Sequence, residues 1–232
     1  VINSRFKGCE AISWNQVIDG VHIWRAALDE AGWPEAERLP APERERAASF
    51  LREEPGRRWV AAHWALRRVL ENYLDEPAAS IELELGDDGK PHLRNRDGIE
   101  FNLSHSSGLA LVAVAAGREV GVDVELIEPG RDLIALAERA LEPEDAAAVR
   151  AASESQRPAV FYAAWTRHEA RLKCLGTGLG ANLQSTTSEG GNRRLAEGAA
   201  VENVDVAPGY AAAVAVAGAK VGPIDCRSLR AG

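Results

Sequence analysis

The chain has 232 residues, 46% of them hydrophobic, with a formal net charge of −8 at pH 7. That much apolar material excludes a disordered chain and allows a proper core, while the acidic balance excludes the basic surface that a nucleic-acid partner requires. No stretch approaches the roughly 18 apolar residues of a membrane span, and no signal-like order of charged, apolar and small residues opens the chain, so neither membrane spanning nor secretion is expected.

Taken in order, the periodicity predicts helices over about 42–54 and 57–74, separated by the Pro55-Gly56 break. Between Arg38 and Arg68 stand eight arginines (38, 44, 46, 52, 57, 58, 67, 68) against four glutamates (43, 45, 53, 54). That surplus fits a polyphosphate site, a surface for an acidic protein, or simply a solvated helix face. Ile81-Glu82-Leu83-Glu84-Leu85 alternates as a half-buried strand does and runs into the turn Gly86-Asp87-Asp88-Gly89. Strands of one sheet are predicted at 99–103, 109–115 and 120–126, and helices at 132–140, 144–152 and 155–175. Two apolar strands follow at 210–217 and 221–225. Cys9, Cys174 and Cys226 are few, odd in number and without metal-ligand spacing, as expected of reduced thiols in a cytoplasmic protein.

The chain echoes itself. Gly108–Gly121 aligns with Gly209–Gly222 at an offset of 101 residues, with six identical pairs: Gly108/Gly209, Ala110/Ala211, Ala116/Ala217, Gly117/Gly218, Val120/Val221 and Gly121/Gly222. Each copy reads as strand, tight turn, strand, and each follows a long helix. The expected architecture is therefore α+β. It has two similar α/β halves related by pseudo-twofold symmetry, 1–117 and 118–232, each a small, mostly antiparallel sheet packed with a long helix. The second copy places Ile224-Asp225-Cys226 where the first has Asp123-Val124-Glu125. A site built on the two acids is thus single, and it lies near the seam of the halves, where ligand pockets commonly form.

In a strand, residues two apart share a face, so Asp123 and Glu125 aim side by side. In a helix, residues four apart share a face, so Glu169 and Lys173 aim together. Two carboxylates on a buried strand repel unless a cation neutralises them, and a third carboxylate from a helix completes an oxygen-rich site suited to Mg²⁺. Alone, Glu169 and Lys173 also read as a surface ion pair, and His105 between two serines as a turn former.

Four blocks carry a resemblance across roughly residues 50–180. They are Gly89-Lys90-Pro91, then Phe101-Asn102-Leu103-Ser104-His105-Ser106, then Gly121-Val122-Asp123-Val124-Glu125, and the helix Trp165-Thr166-Arg167-His168-Glu169-Ala170 with Lys173. Their order and spacing resemble the 4′-phosphopantetheinyl transferases, in particular the larger pseudo-dimeric type that serves secondary-metabolite synthases. The resemblance implies transfer of 4′-phosphopantetheine from coenzyme A to a serine of an acyl or peptidyl carrier protein of a fatty-acid, polyketide or nonribosomal peptide synthase, with release of 3′,5′-ADP. It implies Asp123, Glu125 and Glu169 as Mg²⁺ ligands, and Arg58, Lys90, Ser104, His105 and Lys173 as coenzyme A contacts. Glu169 is implied as base for the carrier serine, directly or through a metal-bound water, and Lys173 as the holder of a pyrophosphate oxygen or the acid for the leaving group. The first half then carries the nucleotide and carrier-facing basic residues, and the second the carboxylates and the catalytic helix. A monomer is expected, because the duplicated chain unites what shorter relatives assemble from separate subunits. Trp165 and Arg67 read as packing or structural residues, and no role is assigned to His22, His63 or His92. One position departs from the family, which usually has lysine where His168 stands, before the helix glutamate; Arg167 and Arg171 are the neighbouring cations. Two other readings share the same residues: a silent coenzyme A or carrier-binding homologue, and a Mg²⁺-dependent hydrolase of the coenzyme A pyrophosphate.

Overall fold

The computed structural model describes residues 6–7, 20–74, 76–86, 89–94, 98–130, 132–176 and 198–231. Cys9 and the Asp87-Asp88 part of the expected turn lie outside the described residues. In chain order the elements are β1 (Phe6–Lys7), β2 (Val21–Ala27), α1 (Ala41–Ala48), α2 (Glu53–Glu71), β3 (Leu83–Leu85), β4 (Pro91–Leu93), β5 (Ile99–Ser106), β6 (Leu109–Ala116) and β7 (Val120–Leu126). Then come α3 (Leu133–Ala140), α4 (Pro143–Ala151), α5 (Arg157–Leu175), β8 (Ala199–Asn203), β9 (Tyr210–Ala217) and β10 (Ile224–Leu229).

The fold is α+β, with small sheets rich in antiparallel pairs. The first sheet runs β1-β10-β2-β6-β5, the second β7-β9-β8, and β3-β4 forms a separate hairpin. Within them, β2-β6-β5 and β7-β9-β8 are antiparallel throughout. They also share one connectivity: β2, α2, β5, β6 in the first and β7, α5, β8, β9 in the second, with the middle place taken by the last strand of each set. The β3-β4 hairpin is inserted after α2, and α3 and α4 before α5.

Four layers result. One face of the first sheet, with Trp24, Phe101, Val112 and Val114, packs on Ala65, Leu66, Val69 and Leu70 of α2. Its other face, with Ile23, Leu111 and Ala113, packs on Val122, Val124, Val214 and Val216 of the second sheet. The far side of the second sheet receives α5, with Ala170 and Cys174 against Ala213 and Ala215. β7 therefore alternates: its valines face the first sheet, which leaves Gly121, Asp123 and Glu125 on the side of α5.

Three departures from the sequence reading have physical causes. The first two helices break at Ser49–Arg52, and Pro55 lies in the first turn of α2, where its missing N–H is one that no helix would satisfy. The strand β2 escapes period-two reading because it is buried on both faces. The last strand begins at Ile224, after Gly222 and Pro223, and it pairs in parallel with β2 in the first sheet although its residues lie beyond 117. The echo accounts for that crossing: β6-turn-β7 carries the chain from the first sheet to the second, and β9-turn-β10 carries it back.

Candidate active site

The site forms where β7 lies against α5. A Cβ built on Gly121 would stand 2.1 Å from the Ala170 carbonyl oxygen and 2.4 Å from the Cys174 nitrogen. Only glycine permits that approach, and the approach brings the helix down onto the strand two residues before Asp123. The helix stops on Gly176, whose left-handed backbone (φ 67°) lets its N–H bond the Leu172 carbonyl. Asp123 is 3% exposed. Lys173 Nζ lies 2.6 Å from Asp123 Oδ1 and donates at 3.1 Å to Ser104 Oγ. Ser104 in turn donates to Asp123 Oδ1 at 3.0 Å. Ser106 Oγ donates to Glu125 Oε2 at 2.8 Å. Lys173 is thus committed to the strand carboxylate, and the surface ion-pair alternative for it does not hold.

The serines do a second job. Asn102 Oδ1, Ser104 Oγ and Ser106 Oγ, at alternate positions of β5, accept the N–H groups of Val122, Val124 and Leu126 at 2.9, 3.3 and 3.1 Å. The free edge of β7 is satisfied by side chains of β5, where a sheet would use backbone carbonyls. Asn102, Ser104 and Ser106 therefore join the two sheets, and the two serines also reach the carboxylates.

Burial holds the carboxyls of Asp123, Glu125 and Glu169 above their ordinary values, with Lys173 opposing it at each. The negative charge of Asp123 adds to the upward shift of Glu125 and Glu169. Asp123 Oδ2 and Glu169 Oε1 are buried without any hydrogen-bond partner. Such orphaned oxygens cost free energy unless something positive meets them. As the side chains stand, no group of three His, Cys, Asp or Glu among the described residues converges as a metal site, since Lys173 and Ser106 hold oxygens of Asp123 and Glu125. The donor set itself fits a hard divalent cation: three carboxylates, oxygen only, two of them with an unmet oxygen.

A cleft of about 850 Å³ opens beside these groups, bounded by α1, α2, the β3-β4 hairpin and β5, with Lys173 at one end. Ser104 and His105, expected from sequence as coenzyme A contacts, line it. The His105 ring stands among the cleft walls, and they and then Lys173 hold its pKa below the ordinary value. His63, given no role from sequence, also lines the cleft. It stacks on Trp59 with ring centroids 3.7 Å apart, and burial above all lowers its pKa to about 3. Arg46, the proline pair Pro40 and Pro42, and Arg94, which pairs with Glu82 and Glu84 at 3.4 Å, complete a wall of apolar and charged groups. A Trp59/His63 pair one helical turn apart was a readable signal; Arg94, brought in by the hairpin, was not.

Arg58 and Lys90 are not among the residues that line this cleft. Arg58 donates to both oxygens of Asp29 at 2.9 and 2.7 Å and pairs with Glu54. Lys90 is buried, with Nζ 2.8 Å from Glu119 and 2.9 Å from the Val120 carbonyl oxygen, so it pins the β6-β7 turn. Arg67 is structural, as read: its guanidinium bonds both oxygens of Glu43 and the carbonyls of Ala78 and Ile81. Arg167 is held by Asp145 and Asn203, so it is not free to stand in for the absent lysine. A positive charge on His168 would oppose the upward shift of Glu169, as Lys173 does more strongly. Trp165 stacks on Phe161 and lines a second recess of about 450 Å³ beside Glu125. Cys174 and Cys226 are buried.

Residues 119–214 match the family model of the 4′-phosphopantetheinyl transferase superfamily. The chain is similar to the 4′-phosphopantetheinyl transferase HetI of a Nostoc species, at 36% identity over 69% of this chain and 70% of that protein. It is also similar to the 4′-phosphopantetheinyl transferase of Bacillus subtilis, at 28% identity over 63% of this chain and 64% of the relative. A third relative is the L-aminoadipate-semialdehyde dehydrogenase-phosphopantetheinyl transferase of Xenopus laevis, at 29% identity over 67% of this chain and 55% of the relative.

Proposed function

The chain belongs to the 4′-phosphopantetheinyl transferase superfamily, and on that premise we propose that it transfers the 4′-phosphopantetheine group of coenzyme A to a serine of an acyl or peptidyl carrier protein, with Mg²⁺, releasing 3′,5′-ADP. One observation carries the reading. Buried carboxyls with unmet oxygens, Asp123 and Glu169, meet a committed ammonium, Lys173, at the end of a large cleft lined by arginines and stacked rings. Negative oxygens there await a cation, and the cleft beside them suits a nucleotide with phosphates.

In this reading the 3′-phosphoadenosine part occupies the cleft. The Trp59/His63 stack and the two prolines offer flat apolar surface for a base, and Arg46, Arg94 and His105 offer donors to phosphate. Asp123, Glu125 and Glu169 hold Mg²⁺, which when bound neutralises charge on the pyrophosphate and on the departing phosphate. The carrier serine oxygen attacks the phosphorus that bears the pantetheine arm, and the bond from that phosphorus to the bridging pyrophosphate oxygen breaks. Glu169, with its raised pKa, accepts the serine proton. Lys173 holds or protonates the oxygen that leaves with 3′,5′-ADP. The two sheet-and-helix units are read as a duplicated pair about a pseudo-twofold axis within a monomer, acting in the cytoplasm.

The test is the intact mass of an apo carrier protein incubated with this chain, coenzyme A and Mg²⁺. The expected result is one added phosphopantetheine unit, lost when a chelator removes the metal. Free 4′-phosphopantetheine formed without a carrier would establish hydrolysis instead. Bound but intact coenzyme A, with no product across several carriers, would establish a silent binder.

A further inference from the structure

Ser106 belongs to none of the groups that the reaction uses. Its hydroxyl nonetheless has both of its roles filled: it accepts the Leu126 N–H at 3.1 Å and donates to Glu125 Oε2 at 2.8 Å. A hydroxyl has one proton to give, so accepting a backbone N–H from the strand turns that proton away from the strand and toward the carboxylate. Ser104 repeats the pattern two residues earlier, taking the Val124 N–H and giving to Asp123. Asn102 is the contrast. It takes the Val122 N–H through Oδ1 and touches no carboxylate.

From this geometry we propose that Ser106 is a positioning residue that fixes the rotamer of Glu125, so that one carboxylate oxygen is anchored and the other is presented to a divalent cation. The proposal rests on the metal reading above and deepens it. A glutamate has three side-chain torsions, and Glu125 borders an open recess, so without an anchor its carboxylate would sample that space. The Ser106 bond removes this freedom before the cation arrives, and it does so from the strand that also joins the two sheets. Partners that hold a metal ligand from behind set affinity by orienting it.

The experiment titrates the full chain with Mg²⁺ alone by calorimetry and records thermal unfolding in parallel, for the unsubstituted chain, Ser106→Ala, Ser106→Thr and Asn102→Ala. Ser106→Ala is expected to weaken Mg²⁺ binding by about tenfold or more, with Ser106→Thr restoring most of it through its hydroxyl. Asn102→Ala is expected to lower the melting temperature while the folded fraction keeps its Mg²⁺ affinity, which separates the joint from the ligand. Equal affinity in Ser106→Ala and the unsubstituted chain, or failure of threonine to rescue, overturns the positioning role alone. No saturable Mg²⁺ binding by the unsubstituted chain overturns the metal reading and this inference together.

Discussion

The two long helices, α2 and α5, have 19 residues each and hold equivalent places against their sheets. They differ in how their polar groups end. On α2, Arg67 is 2% exposed and its bonds go to both oxygens of Glu43 and to two carbonyls. On α5, Glu169 leaves a buried oxygen without a partner, and Lys173 neutralises an aspartate whose second oxygen is also bare. A buried ion that is fully satisfied builds structure; one left short stores free energy for a ligand to release.

The contrast breaks most visibly if Asp123 is removed. Asp123→Ala is expected to lower the transfer rate by about a thousandfold or more, the scale of several kcal/mol of transition-state charge stabilisation. Full activity in a Mg²⁺-containing carrier assay would remove the metal role. Next in size, Arg67→Met and Lys173→Met are each expected to cost about 3 kcal/mol at neutral pH, since each strips the cation from a buried pair. Recovery tells them apart. Lys173→Met leaves a buried Asp123 whose pKa rises further, so stability returns as pH falls and the carboxyl takes a proton, and it also returns with Mg²⁺. Arg67→Met recovers only in part as pH falls and Glu43 takes a proton, and not with Mg²⁺, because its lost bonds include two carbonyls. Thermal unfolding at pH 7 and pH 5, with and without Mg²⁺, reads both.

A smaller effect sharpens the same point. The Glu169 pKa is raised in the folded chain, so the folded state favours the protonated form and loses stability as pH rises through that value. Glu169→Gln imitates the protonated form. It is expected to raise the metal-free melting temperature by a few degrees at pH 7, with no gain near pH 4, and to abolish transfer. The smallest effect concerns His63. Its pKa is lowered to about 3, so its neutral ring contributes stability above its ordinary value, and that contribution is lost as pH falls from there toward 3. His63→Phe is expected to flatten the fall in melting temperature across that interval.

What the sequence made legible follows the range of the forces involved. β7, β9 and α5 are local patterns, and the predicted 120–126 and 210–217 match β7 and β9 to the residue, with α5 starting two residues later than expected. The same alternation set Asp123 and Glu125 on one face, and the helical period set Lys173 beside Glu169. Arg58 and Lys90 bond partners that no local pattern reports: Asp29 lies 29 residues from Arg58, and Glu119 lies 29 from Lys90. Arg94 enters the cleft through the fold of the hairpin, which no local period reports, whereas the helical period does set His63 beside Trp59. Asn102, Ser104 and Ser106 stand together as a motif in the sequence, yet their work as strand acceptors depends on a β7 edge about 20 residues on.

That stitched joint also leaves a spectroscopic signature. The amide protons of Val122, Val124 and Leu126 end on side chains of β5, while alternate residues of β7 face the backbone of β9. A backbone ladder opens when its sheet unfolds, whereas a side-chain acceptor can let go by rotating about its own bonds. Hydrogen exchange along β7 should therefore alternate: fast, slow, fast, slow. The faster set times the release of the β5 side chains, and the slower set times the loss of the second sheet itself.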